Sequence, residues 1–369
     1  MASALLLSPL NNVLAFLTPP PPPVQDAAYD GFELTWRFFV FLFKNEALLL
    51  AGVLFYVLCF YLGKRHNANR ANAWIDAHAP LYAQQFSRPT NAGLTADGYS
   101  DFFSFSTGRR AVAVLHTVFT LRPRHDIFQL AYQLAYRNVY DLQYNPADDV
   151  QLDFKLHPGV NVPDFVWALV NKNELKSIKD ARWDLTFTRT TDNPAVPNSL
   201  TIMSEFADVT DGVLKVAGPV IAALNDPQVL PYFRSLSITD QPRERPDIAE
   251  TSREKHIILT LASPPASAAA RTLPLVTAVF ALVDALDRVT LRPETKAKLR
   301  KVREDFARAQ KESAEKERRE EALDAKQAAK KKAEEDRIAK LSATEQQKIL
   351  ERDRKRSMRK TQSKVQARK

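Results

Sequence analysis

The clearest chemistry in this sequence is the binding of polyanions, and the residues for it lie at the C-terminal end. Residues 352–369 contain nine lysines and arginines and a single acid, so their positive charge is not neutralised within the segment. Such an excess is countered by a partner, either RNA phosphates or anionic lipid head groups. RNA is favoured because the segment has no Trp, Phe or Leu face that could insert into a membrane interface. The residues expected to make the contacts are Arg352, Arg354, Lys355, Arg356, Arg359 and Lys360.

Residue patterns of catalysis and of metal binding are missing from the sequence. The six histidines form no HxH or HExxH pair, and the nine glycines form no P-loop or GxGxxG motif. Cys59 is the only cysteine, which excludes an intramolecular disulfide and a cysteine-based zinc site. His116 lies among alternating strand residues and is predicted to be structural, whereas Asp148, Asp149 and Asp153 are predicted to cap a strand or face solvent. We therefore expect no enzymatic activity, no cofactor and no metal.

A long helix is predicted to carry the basic end away from the rest of the chain. Neither proline nor glycine follows Pro293, and residues 294–340 would extend roughly 70 Å at about 1.5 Å per residue. Ser342 and Glu345 then have the spacing of a capping box, so the tail at 294–369 is predicted to form two helices with a corner at about residues 340–342. A strict a/d seam is missing. A solvated helix or short helical pair is therefore favoured over the alternative, a strand of a coiled coil.

Charge and apolar residues divide this tail into a docking part and a binding part. Leu299, Val302 and Phe306 recur at i, i+3 and i+7, which is enough to dock one helical face on a domain. The tail as a whole has 26 lysines and arginines against 15 acids, a net charge of +11, whereas the complete chain has +9. The basicity thus belongs to the tail, which we expect to meet a polyanion.

One uncharged run predicts a transmembrane helix. Residues 47–63 carry no charge, are flanked by Glu46 and Lys64, and span roughly 25 Å as a helix. The membrane span is therefore placed at 46–63, and apolar residues from position 38 could extend it. The alternative is a helix buried in a soluble core, where so unbroken a run is unusual.

The charges beside this run predict its orientation. Lys64, Arg65 and Arg70 follow the run directly, whereas the flank before it is mixed. The positive-inside rule then places the C-terminal side in the cytosol, with residues 1–45 in the lumen and a rigid Pro-rich spacer at 19–23. The apolar N-terminus lacks a basic n-region, so a retained segment is favoured over a cleaved signal peptide.

Between span and tail, residues 71–293 predict a cytosolic α+β domain with a mixed sheet, because helices and hairpins interleave. Strands are predicted in DFFSFST, AVAVLHTVFTL, VQLDFKL, FRSLSIT and HIILTLA, and a hairpin from WDLTFTRT to SLTIMSEF. Helices are predicted in HDIFQLAYQLAYRNVY, in DFVWALVNKNELKSI and near 217–224, and a linker in SPPASAAA. The apolar segment 272–289 is predicted to be a core helix, with an interfacial helix or a second span as alternatives.

Several of these stretches together resemble the calumin family, the coiled-coil subunit of the PAT complex in the multipass translocon of the endoplasmic reticulum (ER). The resemblance rests on the span followed by GKR, on LPLVTAVFALVDALDRVTLRPETKAKLRKVREDFAR, on SLTIMSEFADVTDGVL and on KAEEDRIAKLSATEQQKILERDRKR. It implies a single-pass protein of the ER membrane that binds the large ribosomal subunit at the Sec61 translocon. The tail would lie on ribosomal RNA near the exit tunnel. With a small membrane partner like Asterix and other multipass-translocon subunits, the protein would help multi-spanning proteins insert and fold.

Two other functions stay open at this point. Animal members of the family carry a long acidic lumenal region associated with calcium, but here the presumed lumenal part has only Asp26, Asp30, Glu33 and Glu46. A role in ER calcium homeostasis is therefore disfavoured. A membrane tether or scaffold acting through coiled-coil pairing predicts dimerisation of the isolated tail, whereas ribosome binding predicts salt-sensitive sedimentation with ribosomes.

Overall fold

A computed structural model describes residues 44–139, 147–244 and 254–339 of the chain. These residues divide into two compact units, one that runs to Lys296 and one that begins at Ala297. The first unit combines helices with one large sheet, which confirms the predicted α+β class. Its helices within the described ranges are α1 (Lys44–Gln85), α2 (Ile127–Val139), α3 (Leu175–Ala181), α4 (Ala207–Val216), α5 (Gly218–Leu224) and α6 (Leu273–Ala285).

Helix α1 continues from the apolar run into the domain without a break. It has 42 residues, which corresponds to roughly 63 Å, so the predicted span at 46–63 is only its first half. Large apolar side chains in that half are exposed, whereas Trp74 and Tyr82 in the second half are fully buried. The helix therefore crosses the predicted domain boundary at residue 71 and supplies part of the domain core.

The sheet has nine strands in the order β1-β2-β3-β4-β9-β8-β5-β7-β6, and every neighbouring pair is antiparallel. The prediction of a mixed sheet was wrong in this respect, because none of the described helices forms a crossover between adjacent parallel strands. The strands are β1 (Arg88–Asp97), β2 (Asp101–Thr107), β3 (Val112–Thr120), β4 (Asp149–Leu156), β5 (Trp167–Asn171), β6 (Arg189–Thr191), β7 (Leu200–Ser204), β8 (Phe233–Thr239) and β9 (His256–Ala262).

Aromatic side chains join α1 and α6 to one face of the sheet. Buried and partly buried residues alternate along β4, as expected of a strand with one face on the core. Trp74 of α1 meets Phe119 of β3 edge to face with ring centroids 5.5 Å apart. Phe280 of α6 lies 6.0 Å from Tyr82 and 5.2 Å from Phe154. The second half of α1 is thus held in the domain by packing.

Two of the described helices are long and apolar enough to cross a membrane by length and composition. The first lies in α1, and only 6% of its most apolar 18-residue segment is buried. The second extends over Ala266–Arg288 and includes α6, and half of its most apolar 18-residue segment is buried. Burial of Leu275, Val279 and Phe280 fits the predicted core helix.

Three sequence assignments differ from the structure. The segment DFVWALVN was predicted to begin a helix, but its last five residues, WALVN, form β5, and only Leu175–Ala181 is α-helical. Strand β5 lies between β7 and β8 with both faces covered, so its residues do not alternate in polarity. The predicted hairpin is shorter, because Trp183–Phe187 is a 3₁₀-helix and only Arg189–Thr191 pairs with β7. The predicted linker contains a 3₁₀-helix at Ala266–Thr272.

Helix α7 extends over Pro293–Ala339. Its first four residues belong to the first unit, and the rest of the helix, from Ala297, is the described part of the second unit. Its 47 residues correspond to roughly 70 Å, in agreement with the long helix predicted from the sequence. The predicted corner and the second tail helix lie outside the described residues.

Candidate functional site

The residues predicted to bind a polyanion lie outside the part of the chain that the structure describes, and their role stays a prediction. The same holds for the capping pair. These residues are Arg352, Arg354, Lys355, Arg356, Arg359, Lys360, Ser342 and Glu345.

The predicted docking residues lie on the first turns of α7. Leu299 is buried, and Val302 and Phe306 are partly buried. Arg303, which the sequence did not single out, is also buried on this helix. Docking of this face on the domain remains a prediction.

The three predicted flanking cations occupy different environments where α1 enters the domain. Lys64 and Arg65 are exposed, and the Lys64 ammonium lies 4.8 Å from the ring centroid of Tyr99. Arg70 is half-buried, and its guanidinium binds protein groups on three sides. Of the three, Lys64 and Arg65 are therefore the ones whose side chains face solvent.

Asp148 is the centre of an ionic network at this junction. Its carboxylate accepts two hydrogen bonds from Arg124, at 2.7 and 2.6 Å, and one from Arg70 at 2.7 Å. The backbone N–H of Arg122 donates a fourth at 2.9 Å. Arg70 also donates through Nε to the carbonyl of Pro264, at 2.9 Å, and through Nη2 to that of Ser263. We call this set of contacts the junction network; it ties α1 to the loops after β3 and β9 and before β4.

Asn67 extends the junction network one turn toward the apolar run. Its side chain is fully buried, and Nδ2 donates to the carbonyls of Tyr99 and Arg122 at 3.1 and 3.0 Å. Its Oδ1 accepts from Arg124 at 3.1 Å. Both N–H donors of the Asn67 amide and its carbonyl oxygen are thus hydrogen-bonded. A buried side-chain amide costs little folding free energy when its polar atoms are paired in this way.

The surroundings of Asp148 set its protonation. Burial would raise the pKa of the carboxyl, but hydrogen bonds from Arg124 and from the backbone of Arg122, together with the charge of Arg70, lower that pKa to about 2. Asp148 is therefore ionised at any physiological pH. The prediction that this carboxylate caps a strand or faces solvent was wrong, since only 9% of its side chain is exposed.

Gly63 lets α1 approach the loop after β3. An ideal Cβ at this position would lie 2.2 Å from the carbonyl oxygen of Arg124 and 2.5 Å from the nitrogen of His125. These are backbone atoms, which cannot rotate away. The close contact thus requires glycine and places the end of the apolar run directly on the domain.

We predict that Gly63→Ala destabilises the domain by about 1–3 kcal/mol, because the loop or the helix must shift to make room. Gly52→Ala is the matched control, since no atom lies within 4 Å of a Cβ there. Alanine in an open helical position is usually neutral or stabilising by about 0.5–1 kcal/mol. Thermal unfolding of the detergent-solubilised chain, followed by tryptophan fluorescence, measures both effects, and equal midpoints for the two variants would contradict the close approach.

The arrangement at the junction fixes the position of α1 relative to the domain. Within the described residues no group of three or more His, Cys, Asp or Glu side chains could hold a metal ion. His116 stacks on Phe105 with centroids 4.4 Å apart, as a structural strand histidine does. Asn67 and Arg124 were missed in the sequence, and Asp148 was given a different role, because the three residues are far apart along the chain. Only the isolated Asp-Asp pair at 148–149 hinted at them.

Comparison with known proteins points to one family. A family model described as PAT complex subunit CCDC47 matches residues 42–360. The UPF0674 endoplasmic reticulum membrane protein of Schizosaccharomyces pombe is 28% identical over 348 residues, which are 88% of this chain and 87% of the relative. The PAT complex subunit CCDC47 of Danio rerio is 25% identical over 186 residues, 46% of this chain and 36% of that protein. The human protein of the same name is 24% identical with the same coverage. The chain therefore spans most of the yeast relative but only about a third of the animal ones.

Proposed function

Because this chain belongs to the family of PAT complex subunit CCDC47, we propose that it is a non-enzymatic membrane protein that binds ribosomes at the Sec61 translocon of the ER. There it assists the insertion and folding of multi-spanning proteins. Membership and the names of its relatives support a role in the ER membrane and assembly with a complex partner there. Ribosome, Sec61 and an Asterix-like partner are the finer part of the proposal.

The observation that carries ribosome binding is the separation of charge along the tail. Helix α7 is about 70 Å long, and the sequence that follows it ends in residues 352–369, with nine lysines and arginines against one acid. A long helix between a membrane-anchored domain and a basic end suits a large polyanion that stands away from the membrane. Ribosomal RNA at the mouth of the exit tunnel has that chemistry, and phosphate contacts position a protein without reading sequence.

The junction network supports the same proposal from the membrane side. Since α1 enters the domain as one helix and is fixed there by Asn67, Arg70 and Asp148, the orientation of the domain follows that of the span. A subunit that binds a ribosome through its tail and a partner through its membrane span needs a fixed orientation between its domain and its span. A scaffold built on coiled-coil pairing is less well supported, because among those α7 residues whose side chains the structure describes, up to position 329, Leu323 is the only large apolar one that is exposed.

Topology tests the proposal directly. We expect a protease added outside sealed ER microsomes to remove the domain and the tail and to leave a small protected N-terminal fragment. The reason is that Lys64 and Arg65 follow the apolar run and are exposed, and the positive-inside rule predicts a cytosolic position for them. Detergent should abolish the protection. Complete protection of the residues after Lys64 in intact vesicles would reverse the orientation and make ribosome contact impossible.

A further inference from the structure

Helix α2 exposes most of its large apolar side chains. Of its 13 residues, Arg137 is the only charged one, and Asp126 caps the N-terminus by accepting hydrogen bonds from the backbone of Phe128 and Gln129 at 2.9 and 3.1 Å. The exposed apolar residues, with their exposed fractions, are Phe128 (76%), Tyr132 (67%), Leu134 (46%), Tyr136 (37%) and Val139 (73%). A helix on the surface of a soluble domain would bury such a face.

The side of α2 that is partly buried is the more polar one. Ile127, Leu130, Gln133 and Arg137 are spaced by three and four residues, lie on one face and are partly buried. Two of these four are polar, and the buried Oε1 of Gln133 accepts no hydrogen bond from the described residues. Phe128, Tyr132 and Val139 lie on the opposite side, at i, i+4 and i+11. The polarity of the helix is thus inverted relative to a water-facing helix, which is the pattern expected where the surroundings are hydrocarbon.

Contacts between α2 and α1 place the start of α2 beside the apolar run that is predicted to span the membrane. The ring of Phe128 lies against that of Tyr56, with centroids 5.7 Å apart. Tyr56 belongs to the uncharged run and precedes Lys64 by eight residues, or about 12 Å along the helix axis. Just before α2, His125 packs on Phe60 of the same run at 6.0 Å. The start of α2 therefore lies alongside the membrane run and not beyond its end.

We propose that α2 is embedded in the leaflet next to the domain, with Phe128, Tyr132 and Val139 against lipid acyl chains. Amphipathic helices in this position bury their apolar face about 5–10 Å below the head groups, within the depth given by Tyr56. The exposed Lys64 and Arg65 lie where anionic head groups can meet them. The protein then has two membrane contacts on a rigid junction, which fixes the rotation of the domain about α1. This inference rests on the membrane span of the proposed function and is independent of ribosome binding.

Depth-dependent quenching tests the proposal on the full-length protein reconstituted alone into phosphatidylcholine vesicles. In a Cys59→Ser background, Tyr132→Cys and Val139→Cys are labelled with an environment-sensitive fluorophore. Lys176→Cys, on an exposed face of α3, is the control for water. Leu54→Cys, exposed in the apolar half of α1, is the control for the span. Tryptophan fluorescence of each labelled protein must match the parent, which removes misfolded variants from the comparison.

We expect the labels at 132 and 139 to show blue-shifted emission, quenching by doxyl-labelled lipids and loss of iodide quenching, as at Leu54 and opposite to Lys176. Iodide quenching at 132 and 139 with lipid quenching at 54 overturns the inference while the span stands. Iodide quenching at 54 as well overturns the span itself. If iodide is excluded from 132 and 139 in native microsomes but not in pure lipid vesicles, a protein and not lipid covers the face, and the inference is wrong.

Discussion

A chain in which Arg352, Arg354, Lys355, Arg356, Arg359 and Lys360 are replaced by alanine is expected to lose most of its co-sedimentation with ribosomes at moderate salt. Each phosphate neutralised by a cation releases counterions, so affinity falls with salt with a slope of about −0.7 to −0.9 per contact on logarithmic axes. Removing six contacts should therefore flatten that slope by about 4 to 5. Membrane insertion and thermal unfolding of the domain should not change, because the six residues follow the domain in the chain.

A matched control removes acids from the same tail. Glu312→Ala combined with Glu315→Ala changes two exposed side chains of α7 and leaves every basic residue in place. Loss of helix-supporting ion pairs costs only about 0.2–0.5 kcal/mol per pair, so sedimentation should stay close to that of the parent. If the six-fold variant sediments with ribosomes as well as the parent does, the tail is not the anchor. The contact would then come from the domain or through Sec61.

Asp148→Ala is expected to cause the largest loss of stability among single substitutions at the junction. It leaves the half-buried guanidinium groups of Arg70 and Arg124 facing each other without their shared carboxylate. Breaking a buried ion pair by removing one partner costs about 3–5 kcal/mol, a large part of a typical unfolding free energy of about 5–15 kcal/mol. Unfolding of the detergent-solubilised chain in denaturant, followed by tryptophan fluorescence, measures the change.

Glu304→Ala is the comparison for this substitution. It breaks the exposed Arg300–Glu304 pair, whose side chains are 81% and 58% exposed, and should cost less than about 0.5 kcal/mol. A loss at Asp148 no larger than that at Glu304 would mean that the junction network does not hold α1 in the domain.

The same carboxylate predicts a dependence on pH. The pKa of Asp148 is about 2 in the folded protein and 3.8 as its ordinary value, so its contribution is complete above 3.8 and is lost as the pH falls toward 2. The difference in stability between parent and Asp148→Ala should shrink across that window. A difference that stays constant down to pH 2 would contradict the ionised network.

The sequence predicted well those elements whose signals are local. The strands flanking the turn at Gly108, the helix at Ile127–Val139 and the apolar run were all recognisable from spacing or composition. Strand β5 was missed because Trp167 and Leu169 on one face are buried as well as Ala168 and Val170 on the other, which removes the alternation that marks a strand. The antiparallel direction of the whole sheet depends on strand order, and no local pattern encodes that.

The junction shows why the candidate site was only partly predictable. Arg70 was read as a flanking charge, which its position after the apolar run supports, but its partner Asp148 lies 78 residues away. Asn67 and Gly63 are unremarkable in the sequence, and their roles come from the loop after β3 that folds against them. Long-range pairing of this kind can be found only in the folded chain.

The most direct test of ribosome binding by the tail is a cross-link from the tail itself. A photo-activatable residue at position 356 of the full-length protein, in microsomes that carry bound ribosomes, reports what the basic end touches. The same residue at position 315, in the middle of α7, is the control. The account predicts cross-links from position 356 to large-subunit RNA or to ribosomal proteins beside the exit tunnel, which disappear when high salt releases the ribosomes. Cross-links from position 356 only to lipid or to a second copy of the chain would contradict it.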